Sequence, residues 1–229
     1  MMQEISAYWD KQSAIWSAEK QTAWTQPVTA EWGGYFREML PQLTGNKVLE
    51  LGTASGYFAN ILAMAGYEVT AADISANMIA EARTVTAALN LQVDYRVMDA
   101  QELIFPEQQF DLVFTRLMTW TIPDINTFYS ECFKVLKPGG LLLNFDGDFG
   151  ACQFSQEGHE NYPADIMEQA NRIKSQLDIS KHQRPARDLE VLREVGFVQV
   201  SADRLEDQAL RQSQGTSALF ELKGYKPLH

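Results

Sequence analysis

Cysteine is nearly absent from this chain: Cys132 and Cys152 are the only two in 229 residues. That excludes a disulfide scaffold and a thiolate cluster, and no His/Cys/Asp grouping has the spacing of a metal site, so no metal is expected. No run approaches the roughly 18 apolar residues that a membrane span requires, and no cationic leader precedes an apolar stretch. With so little cysteine, the expected setting is the cytoplasm, without membrane insertion. Basic residues are also scarce. Lys and Arg number 19 against 30 Asp and Glu, a net charge of −11. Such a balance argues against nucleic acid as a partner, which needs a basic surface. The basic stretch 174–193 also holds Asp178, Asp188 and Glu190 and reads as an ordinary solvated surface.

What is present is a globular composition, 45% hydrophobic and 21% charged. The first 42 residues are rich in aromatics, with Tyr8, Trp9, Trp16, Trp24, Trp32, Tyr35 and Phe36 at roughly helical spacing. The pattern then changes to strand, glycine turn, helix. Strands are predicted over 47–51, 67–72, 91–98, 110–115, 141–145, 197–201 and 218–225. Helices are predicted over 28–40, 57–65, 77–89, 125–136, 164–177 and 185–195. Ser75 suits the N-cap of the helix that starts at Asn77. Strands alternating with helices imply an α/β fold: a doubly wound, Rossmann-like, mostly parallel sheet of seven strands with helices on both faces. The last strand is expected to run antiparallel, and a small helical cap to sit on the sheet. Four segments follow: an N-terminal helical lid (1–42), a ligand-binding core (43–148), an inserted cap (149–184) and the C-terminal part of the core (185–229).

The most informative segment is Glu50-Leu51-Gly52-Thr53-Ala54-Ser55-Gly56-Tyr57. A glycine turn between a buried strand and a helix lets backbone approach a ligand and aims helix N–H groups at an anion. Asp73 closes the following strand, where a carboxylate can accept both hydroxyls of an adenosine ribose. A turn needed only for packing and a capping aspartate are the plainer readings of each feature. Together they favour an adenosine-containing ligand. The dinucleotide fingerprint fits poorly, because its third glycine would fall on Tyr57. No Gly-Lys-Ser/Thr follows the turn, so it is no P-loop.

The segment Glu50 to Gly56 resembles the first motif of class I S-adenosylmethionine (SAM)-dependent methyltransferases, acidic-x-Gly-x-Gly-x-Gly, with Ala54 at the middle glycine. Further segments resemble the same family in order. They are Val69 to Met78, Met98-Asp99-Ala100 with Phe110-Asp111, and Val135-Leu136-Lys137-Pro138-Gly139-Gly140. The branch it resembles is the small-molecule one that includes quinone C-methyltransferases.

The resemblance implies that SAM is the cofactor and S-adenosylhomocysteine the product. Glu50, Gly52, Thr53, Ala54 and Gly56 would form the turn at its methionine end. Asp73 would take the ribose hydroxyls, with Ile74 on the adenine and Met78 beside it. Asp99 and Ala100 would meet the adenine edge, and Thr115 and Arg116 the methionine moiety and methyl group. Tyr57 and Trp120 are candidate aromatic neighbours of a sulfonium. Methyl transfer needs a base only if the acceptor must lose a proton. His159, Tyr162, His182, Asp146 and Asp148 are candidates for a base or acceptor contact, each with a surface or capping role as its plainer reading. Trp9, Trp16 and Trp24 are expected over the cofactor. The acceptor is expected to be a small molecule of unspecified identity, and the oligomeric state is left open. A SAM-binding module without turnover and a nicotinamide-dependent oxidoreductase are the competing readings.

Overall fold

A computed structural model describes residues 1–150, 152–155, 162–205 and 219–229. Its elements run α1 (Met2–Ala23), α2 (Pro27–Met39), β1 (Lys47–Leu51), α3 (Tyr57–Met64), β2 (Glu68–Asp73), α4 (Ala76–Ala88), β3 (Asp94–Val97) and β4 (Phe110–Arg116). They continue with α5 (Ile125–Val135), β5 (Leu136–Gly147), α6 (Ala164–Gln176), α7 (Ala186–Val195), β6 (Val198–Arg204) and β7 (Leu219–Tyr225).

The seven strands form one sheet in the order β3-β2-β1-β4-β5-β7-β6. Strands β3, β2, β1, β4 and β5 are parallel, and β7 runs antiparallel to both of its neighbours, β5 and β6. The expected seven-stranded, mostly parallel Rossmann-like sheet is therefore what forms. The last strand enters between β5 and β6, because a hairpin return pairs antiparallel without a crossover helix.

Local chemistry explains most boundaries. Val48, Leu49, Glu50 and Leu51 of β1 are all buried, as a central parallel strand covered on both faces requires. Ser75 caps α4 by accepting the Met78 N–H at 3.0 Å. Asp124 caps α5, accepting from Asn126 and Thr127. Helix α7 ends at Gly196, whose φ of +112° is left-handed backbone. Several boundaries differ from expectation, two of them in ways that bear on the sheet. Strand β3 is shorter, Asp94–Val97. Strand β5 begins at Leu136, ahead of Pro138, where its pairing with β4 shifts register between Phe110 and Leu112. Proline is tolerated there because the ladder is already interrupted.

The core is strongly aromatic beneath α2. Trp32 stacks on Phe36 at 5.8 Å and meets Phe58 and Phe145 edge-on at 5.0 Å each, with Phe36 edge-on to Phe114 at 5.2 Å. Full burial of each such ring contributes about 1.5–3 kcal/mol. Helix α1 packs on α4, and α6 packs on α1. No helix among the described residues is long and apolar enough to cross a membrane.

Candidate functional site

The carboxyl ends of β1, β2, β3 and β4 lie on one edge of the sheet, where its strand order reverses between β1 and β4. Ligands of open α/β sheets bind in that crevice. A cavity occupies it. Gly52, Ala54, Asp73, Ile74, Met78, Asp99, Ala100 and Arg116 all line it.

The glycine turn is built for close approach. Gly52 has φ +73°, and a Cβ there would come within 2.4 Å of Met118 Cγ. Gly56 has φ +79°, and a Cβ there would meet the Tyr95 hydroxyl at 2.4 Å. Ala54, at the position of the family's middle glycine, also adopts positive φ, +48°. Its N–H donates to Asp73 Oδ2 at 2.9 Å, and the Ser75 N–H donates to Oδ1 at 2.9 Å. Burial raises the Asp73 carboxyl to about 6, the two amides opposing it. Asp99 accepts the Gln101 N–H at 2.8 Å. Met98 and Ile74 give the cavity apolar walls between these two acids.

Other expected site residues stand elsewhere. Glu50 lies under the turn, buried, and accepts the Thr53 hydroxyl at 2.7 Å. Burial pushes its carboxyl up to about 8. Glu50, Thr53, Gly56 and Thr115 thus shape the turn and β4 from behind and do not line the cavity. Alternation along a strand explains Thr115, which points away when Arg116 points in. Tyr57 is buried against Trp24 and shares a hydrogen bond with Thr29, off both cavities.

Asp146 is no free acid. It is fully buried, accepts from Thr119, and pairs with Arg184 at 3.3 Å. Arg184 also holds Asp188 at 2.7 Å. His182 is a partly exposed side chain pairing with Asp178 at 3.2 Å, away from either cavity. Asp148 accepts from the Arg184 and Gly150 backbone. His159 lies outside the described residues. Of the base candidates within them, only Tyr162 lines a cavity, and its hydroxyl donates to Glu19 at 2.9 Å.

Tyr162 belongs to a second cavity of about 590 Å³. Its walls are aromatic: Tyr8, Trp9, Trp16, Trp120, Phe149 and Phe154, with Gln12 the main polar contribution. Trp9, Trp16 and Leu117 line both cavities and form the partition. Trp24 instead lines an outer groove near α2.

Helix α1 was the underestimated contributor. Met2, Ile5, Trp9 and Trp16 reach the first cavity, and Tyr8, Gln12 and Trp16 the second. Trp9 and Trp16, expected over the cofactor, line the first cavity, whereas the reach of α1 into the second cavity is not signalled by the sequence. Asp10 fastens α1 in place: its carboxylate accepts the Ser75 hydroxyl at 2.6 Å and the Asn77 N–H at 3.3 Å.

A doubly wound sheet with a glycine turn after β1 and an acid at the end of β2 defines a nucleoside-binding α/β domain. Comparison narrows this. Residues 49–144 match the Methyltransferase domain family. Over 101 residues the chain is 35% identical to a ubiquinone biosynthesis O-methyltransferase of Rhizobium leguminosarum bv. trifolii (strain WSM2304), covering 44% of this chain and 40% of that protein. The chain thus spans less than half the length of that relative.

Among solved structures, Haemonchus contortus phosphoethanolamine N-methyltransferase 2, in complex with S-adenosyl-L-methionine, superposes with TM-score 0.61 at 21% identity. That match covers 80% of this chain and 49% of the other. The putative methyltransferase complexed with the Trm112 methyltransferase activator of Haloferax volcanii gives TM-score 0.66 at 19% identity, covering 96% and 97%. Residues 49–144 are thus similar to methyltransferase domains, on a fold shared with a methyltransferase solved in complex with S-adenosyl-L-methionine.

Proposed function

We propose that this protein is a SAM-dependent methyltransferase acting on a small, planar, largely apolar acceptor. The observation that carries the reading is Asp73. It is the acid at the end of β2, held by the backbone amides of Ala54 in the glycine turn and of Ser75 at the start of α4, on the wall of the first cavity. The residues present fit the cofactor. Asp73 would accept the ribose hydroxyls. Ile74, Met78 and Met98 would enclose the adenine, with Asp99 at its amino edge. Gly52 leaves room for the methionine end, and Arg116 faces it. When bound, the cofactor supplies an electrophilic methyl group on a sulfonium.

The aromatic cavity beyond Trp9, Trp16 and Leu117 would hold the acceptor. Among the described residues, no Asp, Glu or His lines it. The chain's part in the reaction is then to hold the acceptor against the partition and exclude water, which is where orientation gives its advantage. Helix α1 would act as the lid and 149–184 as the cap over this cavity. The aromatic walls, and relatives named as ubiquinone biosynthesis O-methyltransferases, support an aromatic small molecule. A cytoplasmic setting accords with the scarcity of cysteine.

Isothermal titration calorimetry with SAM, S-adenosylhomocysteine and NADH tests the reading. Micromolar binding of the first two and none of NADH is expected. Absence of binding by both sulfur compounds would overturn it. Transfer of labelled methyl to a panel of phenols, quinols and amines then separates an enzyme from a binding module.

A further inference from the structure

Two cations near the partition between the cavities have no acid partner among the described residues. Arg116 ends β4 and lines the first cavity. Its guanidinium carbon lies 5.3 Å from the Phe58 ring centre and 5.8 Å from that of Trp32. Its Nε is shielded from solvent and has no hydrogen-bond partner. Lys20 lies one helical turn beyond Trp16 on α1. Its Nζ sits 5.3 Å from the Trp16 ring centre and 5.4 Å from that of Tyr57. Among the described residues neither cation makes an ion pair.

The acids whose fields reach this pair are engaged elsewhere. Asp146 is held by Arg184 and Thr119, and Glu19 accepts the Tyr162 hydroxyl. Burial, then the charge of Arg116, lowers Lys20 to about 8, and burial lowers Arg116 to about 10. The chain carries 30 acidic residues against 19 basic ones, so carboxylates for pairing are plentiful. Two partly buried cations set against one aromatic cluster without a carboxylate carry a desolvation cost. Aromatic faces offset only part of that cost. A ligand anion would complete the balance.

We propose that Lys20 and Arg116 form a two-point site for a carboxylate of a bound ligand. The carboxylate has two possible sources. One is the amino-acid end of the cofactor, in which case the site rests on the cofactor reading above. The other is an acidic group on the acceptor, reached past Trp16.

The experiment compares wild type, Lys20→Met, Lys20→Arg and Arg116→Met by calorimetry, with thermal unfolding confirming that each is folded. The probes are S-adenosylhomocysteine, 5′-methylthioadenosine, which lacks the amino-acid group, and a set of aryl carboxylates offered to the protein with and without S-adenosylhomocysteine.

If the cofactor supplies the carboxylate, Lys20→Met weakens S-adenosylhomocysteine by about tenfold or more, the loss expected for a charge-assisted hydrogen bond. Methylthioadenosine is then unaffected, and Lys20→Arg retains most of the affinity. If the acceptor supplies it, both nucleosides bind unchanged, and an aryl carboxylate that binds wild type is lost in Lys20→Met. Equal binding of every probe by wild type, Lys20→Met and Arg116→Met would overturn the site. So would failure of wild type to bind any carboxylate-bearing probe. Failure of wild type to bind either nucleoside would overturn the cofactor reading instead, and the aryl carboxylates would still decide the cation pair.

Discussion

The backbone N–H of Ala54 donates to Asp73 Oδ2 at 2.9 Å, tying the turn after β1 to the end of β2. One carboxylate therefore has two tasks, fixing the turn and facing the cavity. Replacing Asp73 by Ala should weaken SAM binding by about 1–3 kcal/mol, the worth of hydrogen bonds to a charged acceptor. Because burial raises this carboxyl to about 6, wild-type affinity should fall as pH drops through that value, where the acid protonates and loses acceptor capacity. Calorimetry across pH checks both. An affinity that is flat with pH and unchanged in Asp73→Ala would remove Asp73 from the site.

Ala54 occupies left-handed backbone at φ +48°. A Cβ there costs roughly 1–2 kcal/mol, and glycine gives back part of that through unfolded-state entropy. Ala54→Gly should stabilise the fold by about 0.5–1 kcal/mol while keeping cofactor affinity. Chemical denaturation reads the gain. A loss of stability would mean that the methyl group packs favourably enough to outweigh its strain.

Glu50 should make stability depend on pH. Burial raises its carboxyl from 4.5 to about 8, so the folded state holds the proton more tightly than the unfolded chain. Its contribution is full below 4.5 and is lost as pH rises through about 8. Wild type should lose stability across that interval relative to Glu50→Gln, which cannot ionise. Urea midpoints measured over the same range test this, and parallel curves for the two proteins would count against it.

Arg184, with its side chain 2% exposed, joins the segment after α6 to β5 and α7 through Asp146 and Asp188. Arg184→Met would strand two buried acids beside Tyr129, whose hydroxyl donates to Asp188 at 2.7 Å. A loss of about 3–5 kcal/mol is expected in equilibrium unfolding, the usual cost of breaking a buried pair from one side. A cost below about 1 kcal/mol, typical of an exposed pair, would show the network to be open to water.

Tyr162 is the one base candidate among the described residues that lines the second, aromatic cavity. Burial, with Glu19 beside it, pushes its phenol well above the ordinary tyrosine range, so it stays protonated near neutrality. Tyr162→Phe should leave the pH profile of methyl transfer in place, once an acceptor is in hand. A profile that loses its basic limb in the variant would give Tyr162 a proton-transfer role after all.

The features legible in the amino-acid sequence are those whose causes are local. The glycine turn at 52–56, the Ser75 cap, the acids at strand ends and the strand–helix alternation each depend on residues within a few positions of one another. The parallel run of β1 to β5 followed from that alternation, since parallel strands need crossover helices, while their spatial order is a tertiary result. Tertiary packing alone turns α1 toward a second cavity, spends Asp146 on Arg184 rather than on a ligand, and brings Lys20 into the neighbourhood of Arg116. The members of each pair lie on different elements or connecting segments, far beyond the range of local periodicity. Their meeting depends on how α1 and the segment before α7 pack on the sheet, which neither hydrophobic period nor capping chemistry encodes locally.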